Sequence, residues 1–311
     1  MLVSCMNFLA PYITDWQVNN MCSIFKYGSC VGRNFDYDIS YKEELRVIEA
    51  NEHGNEYKVM GMCTGMVKDY PLFYDGINSE GVVCGALAFE NNAVYLDEDE
   101  SKVCIPAYDF VFHILSDFAS VKEIVDFLDA NDVIITNTQY SEEFPNSALH
   151  WFAADVDDSI VIEQTSQGLK YYHGSVMTNN PPYDLQLKAS DELTGEIGDT
   201  GTLKWNYPTR GLNTWNLNGD YTSMGRFSRL TYLKERLEES DSSFDKRIQS
   251  FHLLSSVEQI YGATPVGDGF EYTIYSVVYD MRDKMALLKF YDDAEIRQEG
   301  LNSDLGSGED F

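Results

Sequence analysis

At 311 residues, 44% apolar and 14% aromatic, the chain carries enough apolar material for a large buried core and too much aromatic content for disorder. Its 22 basic against 51 acidic residues leave a formal charge of −29, which argues against nucleic-acid binding and against docking on anionic lipid, since both need cationic surface. No run approaches the roughly 18–20 consecutive apolar residues of a bilayer span, and neither a P-loop, a dinucleotide fingerprint nor an H-E-x-x-H pair is present.

The first 21 residues lack a basic leading region and a small-residue cleavage site, which disfavours a secretory signal. They read as a short propeptide or as a stretch ahead of a true start at Met21, and either route exposes Cys22 as the first residue of the mature chain. Tyr27-Gly28-Ser29 reads as a tight turn between strands Cys22–Tyr27 and Cys30–Phe35. Further strands are expected at Arg46–Ala50, Tyr57–Thr64 and Gly81–Phe89. Apolar residues at i, i+3 and i+4 predict helices over Pro106–Phe118 and Val121–Ala130. Strands return at Leu149–Ala154, Ser159–Gln164, Leu169–Tyr172 and Ser175–Thr178. Residues 184–218, rich in Gly, Thr, Asn and Asp, read as a long loop or an extended hairpin, and loops of that length usually have a task. Helices at Phe227–Leu237 and Phe244–Val257 and strands at Glu271–Tyr279 and Lys284–Tyr291 complete the series, ahead of a Gly/Ser/Asp-rich tail from Asn302. Such an order predicts a layered α+β fold. No composition shift marks a linker, so residues 22–311 are expected to form one domain after a 1–21 leader.

The chemistry-bearing residues cluster near the start. Once Met21 is gone, Cys22 carries both a thiol nucleophile and an α-amine whose pKa of roughly 7.7–8.0 suits a general base. Arg33 can lower the thiol pKa by placing a cation beside the thiolate, and Asp36 can accept a hydrogen bond from the amine. The same residues also fit a small buried cysteine opening a strand, a surface ion pair and a turn aspartate. The six cysteines fall in the first third without a C-x-x-C, and the five histidines are scattered, so neither a disulfide framework nor a zinc site is supported. A reduced, cytoplasmic protein without metal or organic cofactor is the expectation.

Several distant segments carry a resemblance. Cys22-Ser23-Ile24-Phe25, Gly32-Arg33-Asn34-Phe35-Asp36-Tyr37-Asp38, Ser40-Tyr41-Lys42-Glu43-Glu44 and Asp69-Tyr70-Pro71-Leu72-Phe73-Tyr74-Asp75-Gly76 open it. Leu149-His150-Trp151-Phe152, Val161-Ile162-Glu163-Gln164-Thr165, Thr178-Asn179-Asn180-Pro181, Gly219-Asp220-Tyr221-Thr222-Ser223 with Arg226-Phe227, and Glu271-Tyr272-Thr273-Ile274-Tyr275-Ser276 follow in order. Together they resemble the choloylglycine hydrolase family, the N-terminal-nucleophile amidases that include bile salt hydrolases and penicillin V acylases. The resemblance implies a four-layer αββα sandwich. It also implies Cys22 as nucleophile, Arg33 and Asp36 beside it, Asn179 as an oxyanion donor, and Arg226 as a cation keeping the pocket positive. Phe35, Met66 and Val67 are then candidates to line the acyl pocket. Where the family usually carries asparagine (bile salt hydrolases) or tyrosine (penicillin V acylases), this chain has Ala88, so the usual discriminator is missing.

The implied substrate is a small-molecule amide, a glycine- or taurine-conjugated bile salt, cleaved by way of a thioester on Cys22. Penicillin V, another N-acyl amide such as an acyl-homoserine lactone, or non-catalytic binding of amphipathic anions are the alternatives. Segments 40–44 and 184–218 look like those of bile salt hydrolases that form homotetramers in which the second segment embraces a neighbour, which implies a homo-oligomer.

Overall fold

The structure, a computed structural model, describes residues 21–195, 197–198, 210–238 and 240–301. The expected hairpin is present as β1 (Ser23–Tyr27) and β2 (Cys30–Tyr37), turning at Gly28, whose φ of 56° lies in the region open to glycine. An antiparallel meander follows through β3 (Glu43–Ile48), β4 (Val59–Thr64), β5 (Phe73–Asn78) and β6 (Val83–Ala88). Next come β7 (Val103–Pro106), α1 (Phe110–Asp117), α2 (Val121–Ala130) and β8 (Val133–Thr136), with β7 and β8 forming a small parallel pair. Then β9 (Leu149–Ala154), β10 (Ser159–Thr165), β11 (Gly168–His173) and β12 (Val176–Met177) lead into α3 (Tyr183–Thr194). Finally α4 (Ser223–Lys234) and α5 (Ser243–Val257) precede β13 (Thr264–Val266), β14 (Gly269–Asp280), β15 (Met285–Phe290) and β16 (Arg297–Gly300).

Two seven-stranded sheets result. One runs β12-β1-β2-β14-β15-β16, with β13 paired to β14, and the other runs β11-β10-β9-β6-β5-β4-β3. Helices α4 and α5 pack on the first sheet and α1 on the second, so the layers stack as the αββα sandwich that the resemblance implies. One apolar core lies between the sheets, where Met60, Met62 and Ile77 meet Ile24, Phe35 and Tyr275, and it continues under Phe227, Leu254 and Val257. The other places Phe110, Ile114 and Ile124 against Trp151, Cys84 and Ile162. Each such fully buried large apolar side chain contributes about 1.5–3 kcal/mol. Helix α2 starts where its sequence says it should: the Ser120 hydroxyl accepts from Glu123 N at 3.2 Å, and the Glu123 carboxylate reaches back to Ala119 N at 2.8 Å.

Part of the 184–218 segment departs from the expected loop or hairpin, because its first eleven residues belong to α3. The buried face of that helix is Tyr183, Gln186 and Ser190, while Leu185, Leu187 and Leu193 are exposed, so its buried stripe is largely polar and gives no apolar period. Residues 196 and 199–209 of that segment lie outside the described residues, as do residues 1–20 of the expected leader and the tail from Asn302. No helix among the described residues is long and apolar enough to cross a membrane.

Candidate active site

Strand alternation sorts the site residues to two faces. Ile24 pairs with Arg33 and Ser23 with Asn34. On one face Arg33 reaches Asp75 of β5 and the Phe35 ring packs tilted against Tyr74, so this face looks into the space between the sheets. On the other face Ser23 Oγ accepts from Arg226 Nη1 of α4 at 2.7 Å, and Asn34 Nδ2 donates to the Leu254 carbonyl of α5 at 3.0 Å. Arg33 and Asp36 therefore stand on opposite faces of β2.

Cys22 sits just ahead of β1 and is only 3% exposed. Its backbone N–H donates to Asn179 Oδ1 at 2.7 Å, its carbonyl accepts from Arg226 Nη1, and its Sγ lies 3.8 Å from the Asp36 carbonyl. Burial pushes the thiol up to about 11. Arg33 pulls in the direction expected of it, but burial outweighs that pull and the Asp36 carboxylate works against it. Arg33 is fully buried and fixed on three sides: it pairs with Asp75, donates from Nη1 to the Tyr74 carbonyl at 2.6 Å, and donates from Nη2 to the Ala86 carbonyl at 2.6 Å. Asp75 is held in turn by the hydroxyls of Tyr275, at 2.6 Å, and Tyr279. An arginine so anchored presents a cation to Cys22 without freedom to swing away.

The Asp36 carboxylate is engaged differently from the expectation. It accepts from Gln259 Nε2 at 2.9 Å and Thr273 Oγ1 at 2.6 Å, while the Cys22 nitrogen, here a peptide N–H, bonds to Asn179. Burial raises Asp36 to about 6, with Arg226 and these two hydrogen bonds opposing the rise. Asn179 Nδ2 donates to the Ala88 carbonyl at 2.9 Å, and its Oδ1 also accepts from Arg226 Nη2 at 2.9 Å. The turn after Asn179 contains the cis Asn180–Pro181 bond and enters α3. There both oxygens of the buried Glu163 accept from Tyr183 N at 3.1 Å, and Glu163 also meets His150 Nδ1 at 3.0 Å. Arg226 lies in the first turn of α4, which begins four residues earlier than the sequence suggests because Thr222 Oγ1 caps Gly225 N at 3.0 Å.

Cys22, Arg33, Phe35, Met66 and Ala88 all line one cavity of about 620 Å³. Tyr37, Tyr41, Tyr74, Tyr108, Tyr140 and Phe144 complete an aromatic wall that the sequence alone did not single out. Met66 is half-exposed at its mouth. Val67 does not line it: the side chain is buried elsewhere, and its carbonyl accepts from Arg46 Nη2 at 2.8 Å. The neighbour Met66, in the turn that follows β4, takes the cavity side. Asp75, Tyr275, Gln259, Thr273 and Glu271 also escaped the sequence reading. Asp75, Thr273, Tyr275 and Glu271 fall inside recognisable motifs, but only the fold shows what they touch. Glu271, 1% exposed, accepts from Met21 N, and burial together with the Asp36 charge pushes it up to about 8. Among the described residues no group of His, Cys, Asp or Glu is arranged to hold a metal ion.

Comparison with known proteins fits this geometry. Residues 23–307 match the family of linear amide C–N hydrolases named for choloylglycine hydrolase. The chain belongs to the choloylglycine hydrolase family. It is a linear amide C–N hydrolase, acting on bonds other than peptide bonds. It is similar to a bile salt hydrolase/transferase of Lactiplantibacillus plantarum, 35% identical over 305 residues that cover 91% of this chain and 93% of the relative. A bile salt hydrolase/transferase of Clostridium perfringens is 31% identical over 256 residues, covering 75% of this chain and 76% of the relative. Among solved structures, a variant of the conjugated bile acid hydrolase from Clostridium perfringens superposes with a TM-score of 0.80 at 26% identity, covering 91% of this chain and 92% of the other. The penicillin V acylase of Agrobacterium tumefaciens shares the fold, with a TM-score of 0.68 at 21% identity over 89% of this chain and 85% of the other.

Proposed function

We propose that this choloylglycine hydrolase family member cleaves glycine- or taurine-conjugated bile salts, with Cys22 as an N-terminal nucleophile freed by loss of residues 1–21. The observation that carries the reading is Cys22 and Arg33 at the wall of one aromatic cavity, with Asn179 and Arg226 holding the Cys22 backbone from behind it. A cavity of about 620 Å³ with tyrosine and phenylalanine walls suits a rigid apolar acyl group.

With the α-amine free, the Cys22 thiol proton passes to that amine and Sγ attacks the amide carbon. The tetrahedral oxyanion takes a hydrogen bond from Asn179 Nδ2, a preorganised donor worth about 3–4 kcal/mol in the transition state. The C–N bond then breaks, the α-ammonium protonates the leaving amine, and water hydrolyses the thioester to regenerate the thiol. Arg33 stabilises the thiolate, Asp36 and Arg226 hold the nucleophile's surroundings, and Phe35, Met66 and Ala88 bound the acyl site. The sequence needs no metal or organic cofactor. We place the activity in the cytoplasm, where such a thiol stays reduced.

Ala88 favours keeping a second reading, hydrolysis of penicillin V or another N-acyl amide, because it offers neither side chain that usually separates the two classes. Glycocholate, taurocholate and penicillin V offered side by side test both. Release of glycine or taurine with the highest kcat/KM supports the first reading. Turnover of penicillin V alone supports the second, and cleavage of none overturns both.

The exposed Leu185, Leu187 and Leu193 of α3, with Leu212 and Trp215 nearby in sequence, support a homo-oligomer, a tetramer in our reading, assembled through segment 184–218. L185E with L193E is expected to lower the mass measured by light scattering, whereas an unchanged mass removes this surface from the assembly.

A further inference from the structure

The backbone on both sides of the Met21–Cys22 bond is held at three points. Met21 N–H donates to the Glu271 carboxylate, Cys22 N–H donates to Asn179 Oδ1 at 2.7 Å, and the Cys22 carbonyl accepts from Arg226. Two of these partners are already in the proposed site. Glu271 is the one that the hydrolysis of a small amide leaves without a task.

Glu271 is 1% exposed, on β14. Asp36 and Asp38 place like charge near it and Arg226 the opposite charge. Among the described residues, the only hydrogen bond to its side chain comes from Met21 N. A buried carboxyl is costly unless something on the protein compensates it. Here the one hydrogen-bond partner belongs to the stretch that maturation removes, while Arg226 offers only a nearby opposite charge.

We infer that Glu271 is a positioning residue for self-cleavage at Met21–Cys22, a subsite for the peptide N–H of the residue ahead of the nucleophile. The inference rests on the reading of Cys22 as an N-terminal nucleophile. Holding both ends of the scissile unit turns the attack into a restrained intramolecular step. Cys22 Sγ adds to the Met21 carbonyl carbon, its proton moves to the Cys22 nitrogen, the C–N bond breaks and a Met21 thioester forms. Water then cleaves the thioester, which releases the upstream segment as a carboxylic acid and restores the thiol beside a free α-amine.

The test follows the intact mass of chain 1–311 over time after cell-free synthesis, for the parent protein, E271L, E271Q and Cys22→Ala. Leucine removes the acceptor, whereas glutamine keeps a neutral oxygen at the same place. E271L is expected to trim at least about tenfold more slowly, and E271Q to regain most of the rate, since both differ by one hydrogen-bond acceptor. Chains begun at Met21, from which an aminopeptidase can remove the methionine, supply trimmed E271L for turnover and melting measurements. There its turnover is expected to fall less than its trimming rate. Trimming of E271L at the parent rate, equal losses in trimming and turnover, or no trimming of the parent chain would overturn the inference. If Cys22→Ala keeps its leader while E271L trims normally, only the role of Glu271 fails. If Cys22→Ala is trimmed as the parent is, self-cleavage fails and the role of Glu271 falls with it. If fully active protein still carries residues upstream of Cys22, the underlying reading of the nucleophile fails instead.

Discussion

Cys22 and Cys30 stand at opposite ends of the same hairpin, both buried, and burial pushes their thiols up to about 11 and about 12. Judged by acidity alone they are nearly the same residue. Their surroundings differ. Cys30 pairs across the turn with Tyr27 and has Asp280 nearby, whose negative charge raises the thiol further and whose carboxylate is bound by Arg247. Cys22 opens on the cavity, with the Arg33 guanidinium beside it and its backbone held by Asn179 and Arg226. Burial makes a thiol inert, and in the reading proposed above access, a fixed cation and a base set Cys22 apart as the nucleophile.

The sharpest way to break the comparison is to remove each thiol. Cys22→Ala is expected to lower amide turnover by about a thousandfold or more, while Cys30→Ala changes it less than about twofold. Comparable losses would mean that the hairpin as a whole, and not one end of it, supports the reaction. Iodoacetamide adds a pH arm. With residues 1–21 attached, neither thiol should label quickly at pH 8, because both titrate far above it, and as pH rises past about 10 Cys22 should label first. Cys30 labelling ahead of Cys22 would show that the cavity does not open onto the nucleophile.

A smaller effect compares the ion pairs beside the two thiols. Asp75 and Asp280 are both fully buried, one paired with Arg33 and the other with Arg247. D75N and D280N should each destabilise, by up to about 3–5 kcal/mol for the deeper Arg33 pair, read from urea unfolding. Only D75N should also cost turnover, about tenfold, because it frees the cation at the nucleophile. Tyr279→Phe keeps the Arg33 pair and removes one hydroxyl donor from Asp75, so it should cost only about 1 kcal/mol of stability. D280N losing turnover as D75N does would erase the distinction between the two ends.

Much of the fold was legible because its strands and two of its helices follow simple periods. Helix α2 and strand β9 match their expected bounds, since each carries its own punctuation: a serine cap for one, a turn on the Asp157-Asp158 side for the other. What escaped had weak local signals. Strands β7, β13 and β16 are only three or four residues long, β5 contains Asp75, Gly76 and Asn78, and α3 buries glutamine and serine where an apolar stripe would be read. The motif residues Cys22, Asn179 and Arg226 were all recognised in the sequence, and the fold brings them within hydrogen-bond reach across more than two hundred positions of chain.

The sequence by itself determined the layered α+β class, the family and the residues from which a site would be built, because those are written in residue type, spacing and strand or helix period. Only the tertiary structure decided the partners. It put Arg33 and Asp36 on opposite faces of one strand, gave Asp36 to Gln259 and Thr273, closed Asp75 and Tyr279 around Arg33, and set Glu271 against Met21. Contacts of that kind depend on which strands become neighbours and in what register, and a one-residue shift would turn every side chain of β2 to the other face.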